Sequence, residues 1–139
     1  MGKIVGIDYG KKRIGIAFAN ETNKIALPYK TVDASFDMQK TIDSILMSLN
    51  QIYNEITLFV IGLPLLLSGQ EGDMAKEVKK FGEKLKDKTQ INVKYFDERL
   101  TSAGIEKEMK YANISRKKRS KKIDTLAATR ILQGFLDLP

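Results

Sequence analysis

Three acidic positions stand where this chain could do chemistry. They are Asp8 in Gly6-Ile7-Asp8-Tyr9-Gly10, the pair Asp97-Glu98 closing an apolar stretch, and Asp124 in Lys122-Ile123-Asp124-Thr125. The sequence contains no histidine and no cysteine. Ser-His-Asp and Cys-His nucleophiles, imidazole- or thiolate-held zinc, disulfides and iron–sulfur clusters are thereby excluded. Acid–base and metal chemistry falls to carboxylates, lysines and tyrosines. An all-oxygen ligand set points to Mg2+ or Mn2+ rather than zinc or copper.

Asp8 closes a run of apolar residues that reads as a buried strand, and Gly10-Lys11-Lys12 turns the chain into a second one. A carboxylate at such a strand end must be hydrogen-bonded, ion-paired or bound to a metal, because an isolated buried charge costs too much. Two roles are open to it: capping the hairpin turn, or holding a cation. Gly10 leaves space for an anionic group such as a phosphate beside that carboxylate. Asp124 is similarly double. As a helix-end charge it would contribute about 0.3–1 kcal/mol against the helix dipole. Its spacing from Ala127 and Ala128, however, puts it on the buried side of its helix, which suits close packing against the sheet edge at Asp8.

A net charge of +7 over 139 residues and a pI near 9.5 suit a polyanionic partner. The excess is concentrated. Lys110, Arg116, Lys117, Lys118, Arg119, Lys121 and Lys122 follow one another without an acid, interleaved with Tyr111, Asn113 and Ser115. That mixture suits phosphate, sugar and base contacts; the alternative is a solvated basic loop.

The elements that must position these groups alternate. Strands are expected over Ile4–Ile7, Ile14–Phe18 and Ile25–Val32, the third at a sheet edge because of Pro28. Ser35 is expected to cap a helix reaching about Asn50, with Met38, Ile42, Ile45, Leu46 and Leu49 on one face. Leu58–Ile61 reads as a strand buried on both faces. A helix from Gly72 to Lys86, a strand Ile91–Phe96, and helices over Thr101–Lys110 and Ile123–Leu136 complete the pattern. The order predicts one α/β domain spanning residues 1–139. Its five-stranded mixed sheet has the order 3-2-1-4-5, with helices on both faces. Asp8, Gly62 and Asp97-Glu98 then end their strands on one edge, where α/β sheets place functional groups. The loop bearing Gly69 and Gly72 follows strand four; it either lies against a substrate backbone or serves as ordinary turn chemistry.

Four blocks resemble the YqgF family. They are Gly6-Ile7-Asp8-Tyr9-Gly10 with Lys12-Arg13-Ile14-Gly15, Ile61-Gly62-Leu63-Pro64 with Gly69 and Gly72, Asp97-Glu98-Arg99-Leu100-Thr101, and Lys122-Ile123-Asp124 with Ala127-Ala128 and Ile131-Leu132-Gln133. In order and spacing they cover nearly the whole chain, with Ser102 where many relatives have threonine. Members are described as Holliday-junction resolvases and as nucleases maturing the small-subunit ribosomal RNA precursor. The resemblance implies a ribonuclease H-like fold and a metal-binding trio of Asp8, Glu98 and Asp124. Glu98 would either ligate an ion or orient Arg99 and its loop. In the 3-2-1-4-5 order, strand four separates it from Asp8 by roughly 10 Å between backbones.

The expected activity is metal-assisted phosphodiester hydrolysis. Lys12, Arg13, Arg99 and Lys122 are candidates for holding phosphate, and Gly10, Gly62 and Gly69 for close backbone approach. Expected partners are structured RNA or branched DNA and pre-ribosomal particles, with no membrane and no small-molecule cofactor. The N-terminus lacks a signal-peptide layout and no apolar run approaches the roughly 20 residues of a membrane span, so the expected setting is the cytoplasm. Two other classes compete. A sugar-kinase or actin-like ATPase also carries Asp-x-Gly after its first strand, but needs two such halves. A non-catalytic nucleic-acid-binding or ribosome-assembly module would use the basic run and leave the acids structural.

Overall fold

The computed structural model describes residues 2–100 and 121–139, with side chains from Thr125 onward in the second stretch. The expected helix over Thr101–Lys110 lies outside the described residues. Strands β1 (Lys3–Tyr9), β2 (Arg13–Asn20) and β3 (Leu27–Asp33) form a meander. Helix α1 (Met38–Ser48), strand β4 (Ile56–Leu63), helix α2 (Asp73–Thr89), strand β5 (Asn92–Asp97) and helix α3 (Lys121–Leu136) follow, with short 3-10 turns at Tyr53–Glu55 and Glu98–Leu100. The sheet order is β3-β2-β1-β4-β5, as the sequence predicted. β1 is antiparallel to β2 and parallel to β4; β4 is parallel to β5.

Alternation along each strand divides the core in two. Val5, Ile7 and Tyr9 of β1, with Phe59 and Ile61 of β4, pack against Ile42, Ile45 and Leu49 of α1 and Val78, Phe81 and Leu85 of α2. The opposite face of the sheet meets α3 through Val60, Phe96, Ala127, Ala128, Ile131 and Leu132. Full burial of side chains such as Ile131 and Leu132 stabilises by about 1.5–3 kcal/mol each. At Gly6, β1 places no side chain beneath α3: a Cβ there would stand 2.7 Å from the Leu132 Cβ and 3.3 Å from the Ala128 carbonyl oxygen. The helix is seated this low because Gly6 has no side chain.

Local chemistry shifts two of the expected boundaries. Ser35 does not cap α1. Asp37 does, accepting the Gln39 N–H at 2.9 Å, while the Ser35 N–H donates to the buried Thr41 hydroxyl at 2.8 Å. β3 starts at Leu27 rather than Ile25, because α3 claims the preceding backbone: Gln133 accepts the Ala26 N–H at 2.9 Å and donates to the Lys24 carbonyl at 3.3 Å. Lys24 itself is left-handed, with φ 55. Pro28 sits on the edge strand, where its missing N–H breaks no interior ladder.

Candidate active site

The parallel and antiparallel registers bring one row of positions across the sheet. Asp8 stands opposite Gly15, and Gly15 opposite Thr31. On the other side β1 and β4 are paired through Ile7 and Ile61, so the next step of that register sets Gly62 beside Asp8; Gly62 in turn pairs with Phe96. Every residue of this row shares the α3 side of the sheet, by alternation from Gly6 and Val60. Glycines occupy two of the positions flanking Asp8, so those positions put no side chain beside its carboxylate. Asp8 itself is 3% exposed.

Glu98 belongs to the 3-10 turn immediately after β5 and is also 3% exposed. A strand lies between it and β1, but that strand offers no obstacle. Glu98 Oε2 lies 3.4 Å from where a Cβ on Gly62 would be. The Glu98 carboxylate, rooted beyond β5, therefore lies over Gly62 of β4, where a Cβ would be in ordinary contact with it and only a larger side chain would displace it. The same vacant position receives Ile131 of α3, whose Cδ1 would be 2.6 Å from that Cβ. Gly62 was expected to admit a substrate backbone; the close approach there is instead made by the protein itself.

Helix α3 completes the arrangement from above. The hydroxyls of Thr125 and Thr31 meet at 2.6 Å, which docks the start of the helix over the row that holds Asp8. Asp124 precedes Thr125 by one residue on this helix; its side chain, and those of Arg116, Lys117, Lys118, Arg119, Lys121 and Lys122, lie outside the described residues. Among the described residues no group of three metal-ligating side chains occurs. The two carboxylates that are described fit a hard divalent cation: both are deeply buried, both are oxygen donors, and both face the same side of the sheet.

Arg99 takes a different part from the one expected. Its Nε donates to both carboxylate oxygens of Asp97 at 3.0 and 3.2 Å, and its Nη2 to Asp97 Oδ2 at 2.7 Å. Nη1 reaches the carbonyls of Leu66 and Leu67 at 3.1 and 3.2 Å. The guanidinium therefore ties the end of β5 to the loop after β4 instead of presenting a free fork to phosphate. Asp97, not Glu98, orients it. The Asp97 carboxylate also accepts the Arg99 backbone N–H at 3.0 Å. Hydrogen bonding from the Arg99 side chain holds the Asp97 carboxyl below its usual range, against the opposing effect of burial. The signal for this clasp was present in the sequence as an acid two residues before an arginine at a strand end, a spacing that favours a local side-chain turn.

The remaining predicted positions fall as follows. Gly10 serves the turn itself, since a Cβ there would stand 2.7 Å from the Arg13 carbonyl oxygen. Gly69 adopts φ +87, the left-handed region, within a turn closed by its N–H to the Leu66 carbonyl at 2.8 Å. Lys12 is exposed beyond the hairpin, and the partly buried Arg13 opens β2 on the Asp8 side of the sheet. On the opposite side, the Tyr9 hydroxyl donates to Glu77 of α2 at 2.8 Å. Burial, with this bond second, pushes the Tyr9 hydroxyl pKa well above the ordinary tyrosine value.

A meander followed by two parallel crossovers, with acids at the strand ends under a final helix, defines the ribonuclease H-like class. Solved structures bear out the fold. The chain superposes on Thermus thermophilus RuvC in complex with Holliday junction substrate with a TM-score of 0.56 at 12% identity, covering 98% of this chain and 94% of that one. For the fowlpox virus resolvase, solved with Holliday junction DNA, the TM-score is 0.55 at 13% identity, covering 97% of both chains. In sequence, residues 2–138 match the family described as "RuvX: Holliday junction resolvase". Proteins named "Putative pre-16S rRNA nuclease" from Protochlamydia amoebophila and Endomicrobium trichonymphae are each 40% identical, covering 97% and 99% of this chain and 93% and 97% of their own lengths. The chain belongs to the RuvX family, the YqgF proteins that its motifs resemble.

Proposed function

We propose that this chain is a divalent-metal-dependent nuclease that hydrolyses phosphodiester bonds in structured nucleic acid, with Asp8, Glu98 and Asp124 holding Mg2+ or Mn2+. The observation that carries this reading is the extension of Glu98 across Gly62 toward the strand of Asp8, which gathers two buried carboxylates under α3. Burying two acids at one end of the sheet is costly unless a cation or strong donors compensate them, and a metal-dependent nuclease needs converging carboxylates. When bound, the cation would supply an activated water and a counter-charge for the leaving oxygen.

The chain's own groups do the positioning. Asp8 is fixed by ladders on both sides of β1. Lys12 and Arg13, at the mouth of the hairpin, hold the phosphate. The Asp97–Arg99 clasp fixes the loop beside Glu98. The basic run Arg116, Lys117, Lys118, Arg119, Lys121 and Lys122 contributes sequence-independent affinity. The substrates that the family description and the relatives' names suggest are the 16S rRNA precursor, met within pre-ribosomal particles in the cytoplasm, and Holliday junctions. Among the described residues no helix is long and apolar enough to cross a membrane.

The test offers purified protein a precursor 16S rRNA fragment and a four-way DNA junction, with Mg2+ or Mn2+ and with chelator. Cleavage of at least one substrate that disappears with chelator, and that Asp8→Asn abolishes while still binding, is the expected result. Binding without metal-dependent cleavage would instead favour a non-catalytic module. Cleavage by the Asp8→Asn variant at the wild-type rate would remove the site assignment.

A further inference from the structure

Phe36 is fully exposed, the most exposed large apolar side chain among the described residues. It does not lie on a loose loop. The Ala34 N–H donates to the Lys12 carbonyl at 2.9 Å, which carries the β2–β3 ladder one step beyond Arg13 and Asp33. The Ser35 N–H is held by the Thr41 hydroxyl at 2.8 Å, and the Asp37 N–H donates to Ser35 Oγ at 3.2 Å. The Asp37 carboxylate is occupied by the Gln39 N–H at the start of α1. Backbone on both sides of Phe36 is therefore anchored while its ring is exposed among the described residues. Exposing an aromatic ring on a fixed support gives up the burial that a phenylalanine normally contributes. It also lowers the entropy lost when something stacks on the ring.

The surroundings indicate what that is. The Ala34–Lys12 bond sets this segment against the β1–β2 hairpin, where Lys11 and Lys12 are both exposed. The ends of β1 and β3 lie on the same edge of the sheet, since the two strands run in the same direction on either side of β2. Thr31 stands two strand spacings, about 10 Å, from Asp8, and the extended chain advances about 10 Å more at right angles to reach Ala34, about 14 Å from Asp8. That is the span of about four stacked nucleotides at ~3.4 Å each. A planar apolar ring on a segment tied to a hairpin that carries two exposed lysines matches a nucleotide, with the base on the ring and its phosphates on the lysines, and the π face of any base suffices.

We propose that Phe36 is a stacking platform for an unpaired nucleobase a few nucleotides from the scissile bond, making unpaired structure beside the cleavage site a determinant of substrate choice. The proposal rests on the nucleic-acid reading above and adds the feature of the substrate that is recognised.

The test uses the full chain in chelator, so that binding is read without cleavage. Short single strands of DNA and of RNA carrying 2-aminopurine are compared with a blunt duplex. Wild type is expected to change the 2-aminopurine fluorescence on binding. Phe36→Ala should weaken single-strand binding about tenfold, and Phe36→Trp should restore it. Duplex binding should stay within about twofold throughout, as expected of backbone contacts alone. The larger effect on DNA or on RNA identifies which strand the platform serves. Unchanged single-strand binding by Phe36→Ala overturns the proposal while leaving the nucleic-acid reading intact, as does an equal loss for strand and duplex. Failure of the wild type to bind strand or duplex overturns both.

Discussion

Glu98 and Gly62 are partners: a carboxylate oxygen of one lies 3.4 Å from the position where a side chain on the other would begin. This pairing shortens the separation between β5 and β1. The intervening strand carries no side chain at Gly62, and the Glu98 carboxylate reaches above it.

Gly62→Val should therefore lower metal-dependent cleavage further than Gly62→Ala does, because only atoms beyond the Cβ would enter the space of the Glu98 carboxylate. In both variants the added Cβ would meet Ile131 Cδ1 at 2.6 Å, and repacking a buried side chain of this kind costs about 1–3 kcal/mol. Chemical denaturation measures that cost, and cleavage rates at saturating Mn2+ measure the displacement of Glu98. Cleavage by Gly62→Val no lower than by Gly62→Ala would show that Glu98 does not work from above β4.

Thr31→Val removes one hydroxyl of the 2.6 Å bond to Thr125 at nearly constant volume. It should cost about 0.5–1.5 kcal/mol. Because Thr125 adjoins Asp124, it should also raise the Mg2+ concentration needed for half-maximal cleavage while leaving the rate at saturating metal largely intact. An unchanged metal requirement would detach the docking of α3 from the site.

The Asp97–Arg99 clasp has a defined pH dependence. Asp97 titrates below its usual range, chiefly because Arg99 hydrogen-bonds to it. The stabilisation is therefore present above the ordinary carboxyl pKa of about 3.9 and is lost as pH falls through the lower folded-state value. Across neutral and mildly acidic conditions the clasp stays closed. Asp97→Asn should loosen the loop at residues 65–72 at pH 7, seen as faster amide exchange there, and should remove the acid-range transition from the wild-type profile. Exchange in that loop identical to wild type would refute the clasp.

Charge reversal at Lys117, Lys118, Arg119 and Lys121 should weaken nucleic-acid binding and flatten its salt dependence. Each lost phosphate contact removes about 0.9 from the slope of log K against log salt for duplex DNA. A slope equal to that of wild type would make the run a solvated segment without a partner.

Asp124→Asn distinguishes a ligand from a helix-end charge. As a ligand it should abolish cleavage, with metal-free stability unchanged or raised as carboxylate repulsion is relieved. As a helix-end charge it should cost about 0.3–1 kcal/mol and leave activity alone. Parallel melting and cleavage measurements decide between them.

Sequence alone determined the architecture and the candidate acids. Apolar periodicity places strands and helices because period 2 and period 3.6 are properties of local geometry, and the buried faces of α1, α2 and α3 follow it. The crossover rules then leave few orders for five strands, among them the one observed. The absence of histidine and cysteine restricts the chemistry before any fold is known. What only the tertiary structure decided are relationships between residues far apart in the chain. Gly62 yields its space to Ile131 and lies beneath the Glu98 carboxylate, Thr31 meets Thr125, and Gln133 takes the backbone that would have lengthened β3. Arg99 reaches two carbonyls some thirty residues away. No local pattern encodes these contacts, because each depends on how three layers are stacked and which small residues let them approach. A glycine reads the same in sequence whether it admits a substrate, turns the chain or clears a path for a carboxylate; only the neighbours assembled around it distinguish them.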